Sequence, residues 1–158
     1  MDDLFKGTKE LVEATLKKLG LDPEASKAKS DDAHATYTFG RGSAHVLVGV
    51  VKRVEQKTVI LRVAAPVMIP PEGDEGRERA HALYERLLEL NGAGLSNCAF
   101  ALIDGRVVVV SERPAPGLDA AEVEQILKHT SAVADTYDDR LVEEFGGTRA
   151  SDKTSDKT

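Results

Sequence analysis

The sequence predicts an α+β fold in which an antiparallel sheet is packed with helices, in the chain order α-β-β-β-α-β-β-α. Three features carry this expectation. Apolar residues recur at helical spacing in three separate stretches, and between them lie runs with the two-residue alternation of strands. The links between successive strands are short turns, which join antiparallel neighbours and cannot hold the crossovers of a parallel sheet.

The first helix is read from Leu4, Phe5, Leu11, Val12, Thr15, Leu16 and Leu19, spaced three and four apart so that they share one face. Gly20 suits the left-handed residue that closes a helix, and Pro23 forbids continuation. Residues 22–32 are polar and irregular and read as a connection. Alternation then sets in at Ala35-Thr36-Tyr37-Thr38-Phe39, with a strand starting near His34.

Gly40-Arg41-Gly42 turns the chain into a second strand over Ala44 to Lys52, and Gln56-Lys57 separates it from a third over Thr58 to Val67. Val46, Val48 and Val50 line one face, as do Val59, Leu61, Val63 and Ala65, so that face is expected in the core. The opposite row of His45, Leu47, Gly49, Ile60, Arg62 and Ala64 is mixed. Such a face is either wet, lightly covered or set against a partner.

Pro66, Pro70, Pro71, Gly73 and Gly76 are expected to break the sheet and form a loop. Ala80, Leu83, Tyr84, Leu87 and Leu88 restore helical spacing for a second helix, which ends at Asn91-Gly92. Cys98 to Ile103 and Arg106 to Ser111 flank Asp104-Gly105, the strongest short signal for a hairpin. Asp119 as N-cap, Glu122 three residues on, and Leu118 opposite Val123 mark the third helix. Its stripe runs through Ile126, Leu127, Thr130, Val133, Ala134, Tyr137 and Leu141 to Phe145, and Gly146-Gly147 ends it. Residues 1–147 thus read as one domain, and 148–158, which repeat Ser-Asp-Lys-Thr, as a disordered tail.

Composition narrows the function. A formal charge of -6 with no basic cluster argues against nucleic acid as a partner. The single Cys98 allows no internal disulfide, and the acidic start Met1-Asp2-Asp3 lacks the basic region of a secretory signal, so a cytoplasmic setting is expected. No apolar run approaches the ~20 residues of a membrane span; no membrane role is expected.

Chemical motifs are sparse. His34, His45, His81 and His129 sit on different elements, without the close spacing of metal-binding pairs. Gly40-Arg41-Gly42 opens a strand rather than a helix and reads as a hairpin turn, not a phosphate loop. Glu72-Gly73-Asp74-Glu75 lacks the ligand pattern of a calcium loop and reads as charge favouring a helix start. Ser96 and Cys98 lack a nucleophile-elbow pattern and a nearby histidine with an orienting carboxylate. Glu124, Asp135, Asp138, Asp139, Glu143 and Glu144 read as a solvated face of the third helix, with steering of a basic partner as the alternative. Neither an enzymatic activity nor a cofactor is expected.

The helix end Leu87-Leu88-Glu89-Leu90-Asn91, the strand-turn-strand from Phe100 through Asp104-Gly105 to Val110, the Arg113-Pro114 exit, the Leu118-Asp119 helix start and the closing Ala134 to Gly147 resemble the YbjN family and the related type III secretion chaperones of the Tir-chaperone kind. The likeness spans roughly Leu4 to Gly147. It implies a small acidic homodimer whose secretion members hold an extended segment of a client protein along apolar patches. YbjN-like members imply instead a bacterial regulatory or sensory-transduction adaptor. The resemblance brings no catalytic residues. A protein or peptide client is the expected partner, and the mixed sheet face around Leu47, Ile60 and Ala64, with the second helix near Tyr84, is the candidate dimer or client surface.

Overall fold

A computed structural model describes residues 1–152 of the chain. The elements are α1 (Asp2–Lys18), α2 (Pro23–Ser26), β1 (Lys27–Ser30), β2 (His34–Arg41), β3 (Ala44–Arg53), β4 (Thr58–Ile69), α3 (Gly73–Gly92), β5 (Ala99–Ile103), β6 (Arg106–Pro114), α4 (Ala120–Phe145) and β7 (Thr148–Arg149). The strands form one antiparallel sheet in the order β1-β2-β3-β4-β6-β5, with β7 pairing the end of β4. The expected α+β class and the three long helices are present.

The valine rows decide which side is the core. Val46, Val48, Val50, Val59 and Val63 are fully buried, and all join one apolar cluster with Val12 and Leu16 of α1, Leu83 and Leu87 of α3, and Val123 and Leu127 of α4. Helix α4 lies along β3, β4 and β6, α1 against β3 and β4, and α3 against β5 and α4. The helices therefore share one side of the sheet. Each fully buried aliphatic side chain contributes about 1.5–3 kcal/mol of transfer free energy, so this stripe is the main source of stability.

Local chemistry fixes the ends. The Asp119 side chain accepts from the Glu122 amide at 2.8 Å, while Glu122 turns to Arg113 at 2.6 Å and ties α4 to the end of β6. The β5–β6 turn uses Asp104 at φ 49° and Gly105 at φ 74°, the positive pair that matches strand twist. Tyr37, fully buried on β2, donates its hydroxyl to Glu13 of α1 at 2.6 Å; burial, first, and the neighbouring carboxylate raise its ionisation well above the ordinary phenol value.

Three expectations are corrected. Pro66 does not break the sheet: the pairing of β4 with β6 slips between Pro66 and Met68, and this bulge accommodates a residue without an amide hydrogen, so the strand continues to Ile69. Helix α3 consequently starts at Gly73, inside the stretch read as loop. The connection after α1 holds the short α2 and the edge strand β1, whose sequence Lys-Ala-Lys-Ser has no apolar alternation to betray it. Finally, Thr148 and Arg149 pair with Ile69 and Met68, and Ala150 is buried, so the chain stays ordered past Gly147. The rest of the expected tail, 153–158, lies outside the described residues.

Candidate functional site

The sheet face turned away from the helices carries His45, Leu47, Gly49 and Val51 on β3, Ile60, Arg62, Ala64 and Pro66 on β4, and Arg106, Val108 and Val110 on β6, by the strict alternation of the registers. Leu47 stands opposite Ala64, and Ala64 opposite Val110. None of these residues belongs to the helix-packed cluster. Leu47, Ala64, Pro66, Ile103 and Val108 give apolar lining to a cleft of about 480 Å³, and Arg62, Asp104 and Arg106 give its polar lining. Arg62 is paired with Glu112 at 2.9 Å, whereas Arg106 has no ion-pair partner among the described residues. An apolar floor with cationic groups beside it can take side chains of an extended segment and pair an acidic one.

The four residues expected to form one surface do not lie together. Leu47 and Ala64 are half-buried neighbours in the cleft. Ile60 points to the same side but is only 5% exposed, flanked by its cross-strand partners Val51 and Pro114, so it supports the sheet and offers little surface. Tyr84, 37% exposed, lies on α3 in the helical layer across the sheet. There it accompanies Leu88, four residues on and 71% exposed, while Leu102 on neighbouring β5 is 55% exposed. The exposure of Leu88 and Leu102 is not legible in sequence, because both fit the helix and strand patterns as core positions.

The two outermost strands differ in chemistry. β1 carries Lys27 and Lys29, which discourage pairing with another strand, whereas β5, Ala-Phe-Ala-Leu-Ile, carries no charge.

The acidic residues of α4 are not a uniform solvated face. Ser43 in the β2–β3 turn donates its amide to Asp135 at 2.8 Å, and its hydroxyl contacts both Asp135 and Asp138, the latter only 5% exposed. The Ser43 hydroxyl and amide hold Asp135 below the ordinary carboxylate value. Gly42, at φ 58°, leaves the space that the Asp135 carboxylate fills. Glu124 sits between Lys128, at 2.5 Å, and Lys18 of α1; these ammonium groups hold its carboxyl down at about 2. These contacts join α4 to the sheet and to α1.

Among the described residues the histidines and the cysteine stand apart from one another. His34, His45 and His81 are exposed on separate elements, and His129 bonds through Nε2 to the Leu95 carbonyl at 2.5 Å. Burial raises the Cys98 thiol above its ordinary value, which opposes the thiolate a nucleophile requires. Among the described residues no group of three or more His, Cys, Asp or Glu is placed to hold a metal ion, and no helix is long and apolar enough to cross a membrane.

Comparison with known proteins adds two findings. The family model TY-Chap1, described as "T3SS (YopN, CesT) and YbjN peptide-binding chaperone 1", matches residues 7–153. Among solved structures, a chain of the ExsC-ExsE complex is similar with a TM-score of 0.61 and 19% identity, over 89% of this chain and 97% of that one. A chain of the heterodimeric ExoU-SpcU complex from the type III secretion system of Pseudomonas aeruginosa is similar with a TM-score of 0.54 and 17% identity, over 84% and 96% of the two chains. At these identities the structures share the fold. The curated proteins contain no match.

Proposed function

The chain belongs to the family of type III secretion and YbjN peptide-binding chaperones, and from that membership we propose that it holds an extended segment of a client polypeptide on the sheet face free of helices. The observation that carries the reading is the cleft in which Leu47 and Ala64 face each other beside Arg62 and Arg106. Apolar side chains spaced two apart in the client would seat on this floor, and an acidic client residue would pair with Arg106. The work is binding, without a chemical step. That both similar structures are protein complexes supports a protein partner.

The working unit in this reading is a cytoplasmic homodimer. Tyr84, Leu88 and Leu102 supply exposed apolar area beside the uncharged strand β5, and a second copy of the same patch would cover it. Assigning the helical patch to self-association leaves the sheet cleft open for the client. Affinity capture from the native cell, followed by an aggregation assay with the recovered protein, tests the reading. Wild-type chain should keep the client soluble and a folded Leu47→Glu variant should not; equal protection by both would reject the assignment of the cleft.

A further inference from the structure

A cleft of about 320 Å³ opens on the helical side of the sheet, where the end of α1, the end of β2 and the middle of α4 meet. Its apolar lining is Phe39 of β2, Leu127 of α4, and Leu19 and Leu21 of the turn that closes α1. Gly20, at φ 79°, shapes that turn. Its amide donates to the Lys17 carbonyl at 2.9 Å and the Leu21 amide to the Leu16 carbonyl at 3.0 Å, which folds Leu21 back on the helix. Phe39 and Leu127 are buried, whereas Leu19 and Leu21 are half-buried and keep apolar surface uncovered. The volume holds about ten groups the size of a water, ~30 Å³ each.

Arg41 and Lys128 are the charged residues of the lining, and no acidic residue joins them. Arg41 is exposed, and its Nη1 donates to the Lys128 carbonyl at 3.3 Å and to the Ser131 hydroxyl at 3.2 Å. These bonds tether the guanidinium to α4 beside Leu127, yet both acceptors are neutral and leave its charge uncancelled. Among the described residues Arg41 has no ion-pair partner, and Nε and Nη2 make no hydrogen bond. Those two nitrogens form the edge that takes a carboxylate through two parallel bonds. Lys128 differs, because it shares the Glu124 carboxylate with Lys18. Asp135, bonded by Ser43, feels the Arg41 charge without pairing with it.

We propose that this cleft binds a hydrocarbon monocarboxylate of about eight carbons, its carboxylate on the free edge of Arg41 and its alkyl or aryl body against Leu19, Leu21, Phe39 and Leu127. One unpaired guanidinium balances one negative charge. A dianion such as a phosphate monoester would set its second charge against Glu124 and Asp135. Apart from the two cations and Gly40, the lining is leucine and phenylalanine. A peptide terminus would therefore bring an amide N–H and C=O against walls with no hydroxyl or carboxamide side chain to receive them. A hydrocarbon body has no such groups to satisfy, and covering Leu19 and Leu21 favours it. The site is separate from the outer sheet face, and the inference goes beyond client binding: it gives the fold a small-ligand site as well.

The test is an amide-resolved NMR titration of the full chain at neutral pH with octanoate, butanoate, octanamide, octyl phosphate and N-acetyl-leucine. Octanoate should give saturable shifts at Leu19, Leu21, Phe39, Arg41 and Lys128. Butanoate and octanamide should bind at least about tenfold more weakly, the first for lost apolar contact and the second for lost charge. Arg41→Gln should weaken octanoate by about tenfold while leaving the signals of the core valines in place. If that variant does not fold, the comparison of octanoate with octanamide on the wild-type chain decides the same point. Absence of saturation, octanamide or octyl phosphate binding as tightly as octanoate, binding indifferent to Arg41, or shifts gathered at Leu47 and Ala64 would overturn the proposal. N-acetyl-leucine binding as tightly as octanoate would overturn the free acid as the occupant in favour of a chain terminus. None of these results bears on whether a client docks at Leu47 and Ala64, so failure here and failure there are distinguishable.

Discussion

Leu47 and Ala64 are cross-strand partners on β3 and β4, on the opposite side of the sheet from Val48 and Val63, the pair one residue further along the same ladder. The second pair is fully buried and the first is half-buried. One ladder thus has two faces: its inner pairs hold the fold, and on its outer side the Leu47–Ala64 pair keeps part of its surface exposed.

The two sides should respond differently to mutation. Leu61→Ala, in the helix-packed core, should cost roughly 2–5 kcal/mol. Leu47→Glu should stay within about 1 kcal/mol of wild type, because the half-buried Leu47 lies outside the helix-packed cluster. Urea unfolding midpoints separate the two cases. A Leu47→Glu chain as destabilised as Leu61→Ala would place Leu47 in the core.

Self-association should depend on the helical patch. Leu88→Glu and Leu102→Glu are expected to convert a dimer to a monomer, read by light scattering, with unchanged circular dichroism. Tyr84→Glu should weaken association in the same direction. A wild-type chain that is monomeric throughout the micromolar range would refute the patch as a dimer surface.

Acid should loosen the α1–α4 contact. Glu124 titrates at about 2 in the folded chain against an ordinary 4.5, held down by Lys128 and Lys18. Because the folded value is the lower one, the unfolded chain takes up the proton first, and the stabilisation is complete above about 4.5 and lost as pH falls towards 2. Lys18→Ala should therefore lower the melting temperature at pH 6 more than at pH 2.5. A difference independent of pH would contradict the role given to this pair.

Removing the α4 cap should be felt as well. Asp119→Ala deletes the acceptor for the Glu122 amide, and the expected loss is about 1 kcal/mol, measurable by thermal unfolding. A neutral substitution would mean that the Arg113–Glu122 pair alone fixes the helix start.

Much of the fold is legible in the sequence because its signals are redundant. The rows Val46-Val48-Val50 and Val59-Leu61-Val63 announce both the strands and their buried side, and Asp104-Gly105 and Asp119 mark a turn and a cap by their own stereochemistry. β1 and β7 are hidden for the opposite reason. Lys27–Ser30 is polar on both faces, and Thr148–Arg149 follows two glycines, where Gly147 packs so closely on Ile69 that a Cβ would collide with its carbonyl. Alternation places Leu47 and Ala64 on the outer face, but it cannot tell that Ile60 in the same row is closed in by Val51 and Pro114, or that Tyr84 belongs to a different surface. Those facts depend on which strands become neighbours.

The central claim, that the helix-free sheet face is where a polypeptide docks, is tested most directly by selecting peptides on the folded chain by display and mapping the best binder by amide NMR. Its contacts should cluster on Leu47, Arg62, Ala64 and Val108, and Leu47→Glu should abolish binding while leaving the spectrum of the core valines in place. Contacts gathered on the helical side, with Leu47→Glu binding as tightly as wild type, would contradict the account.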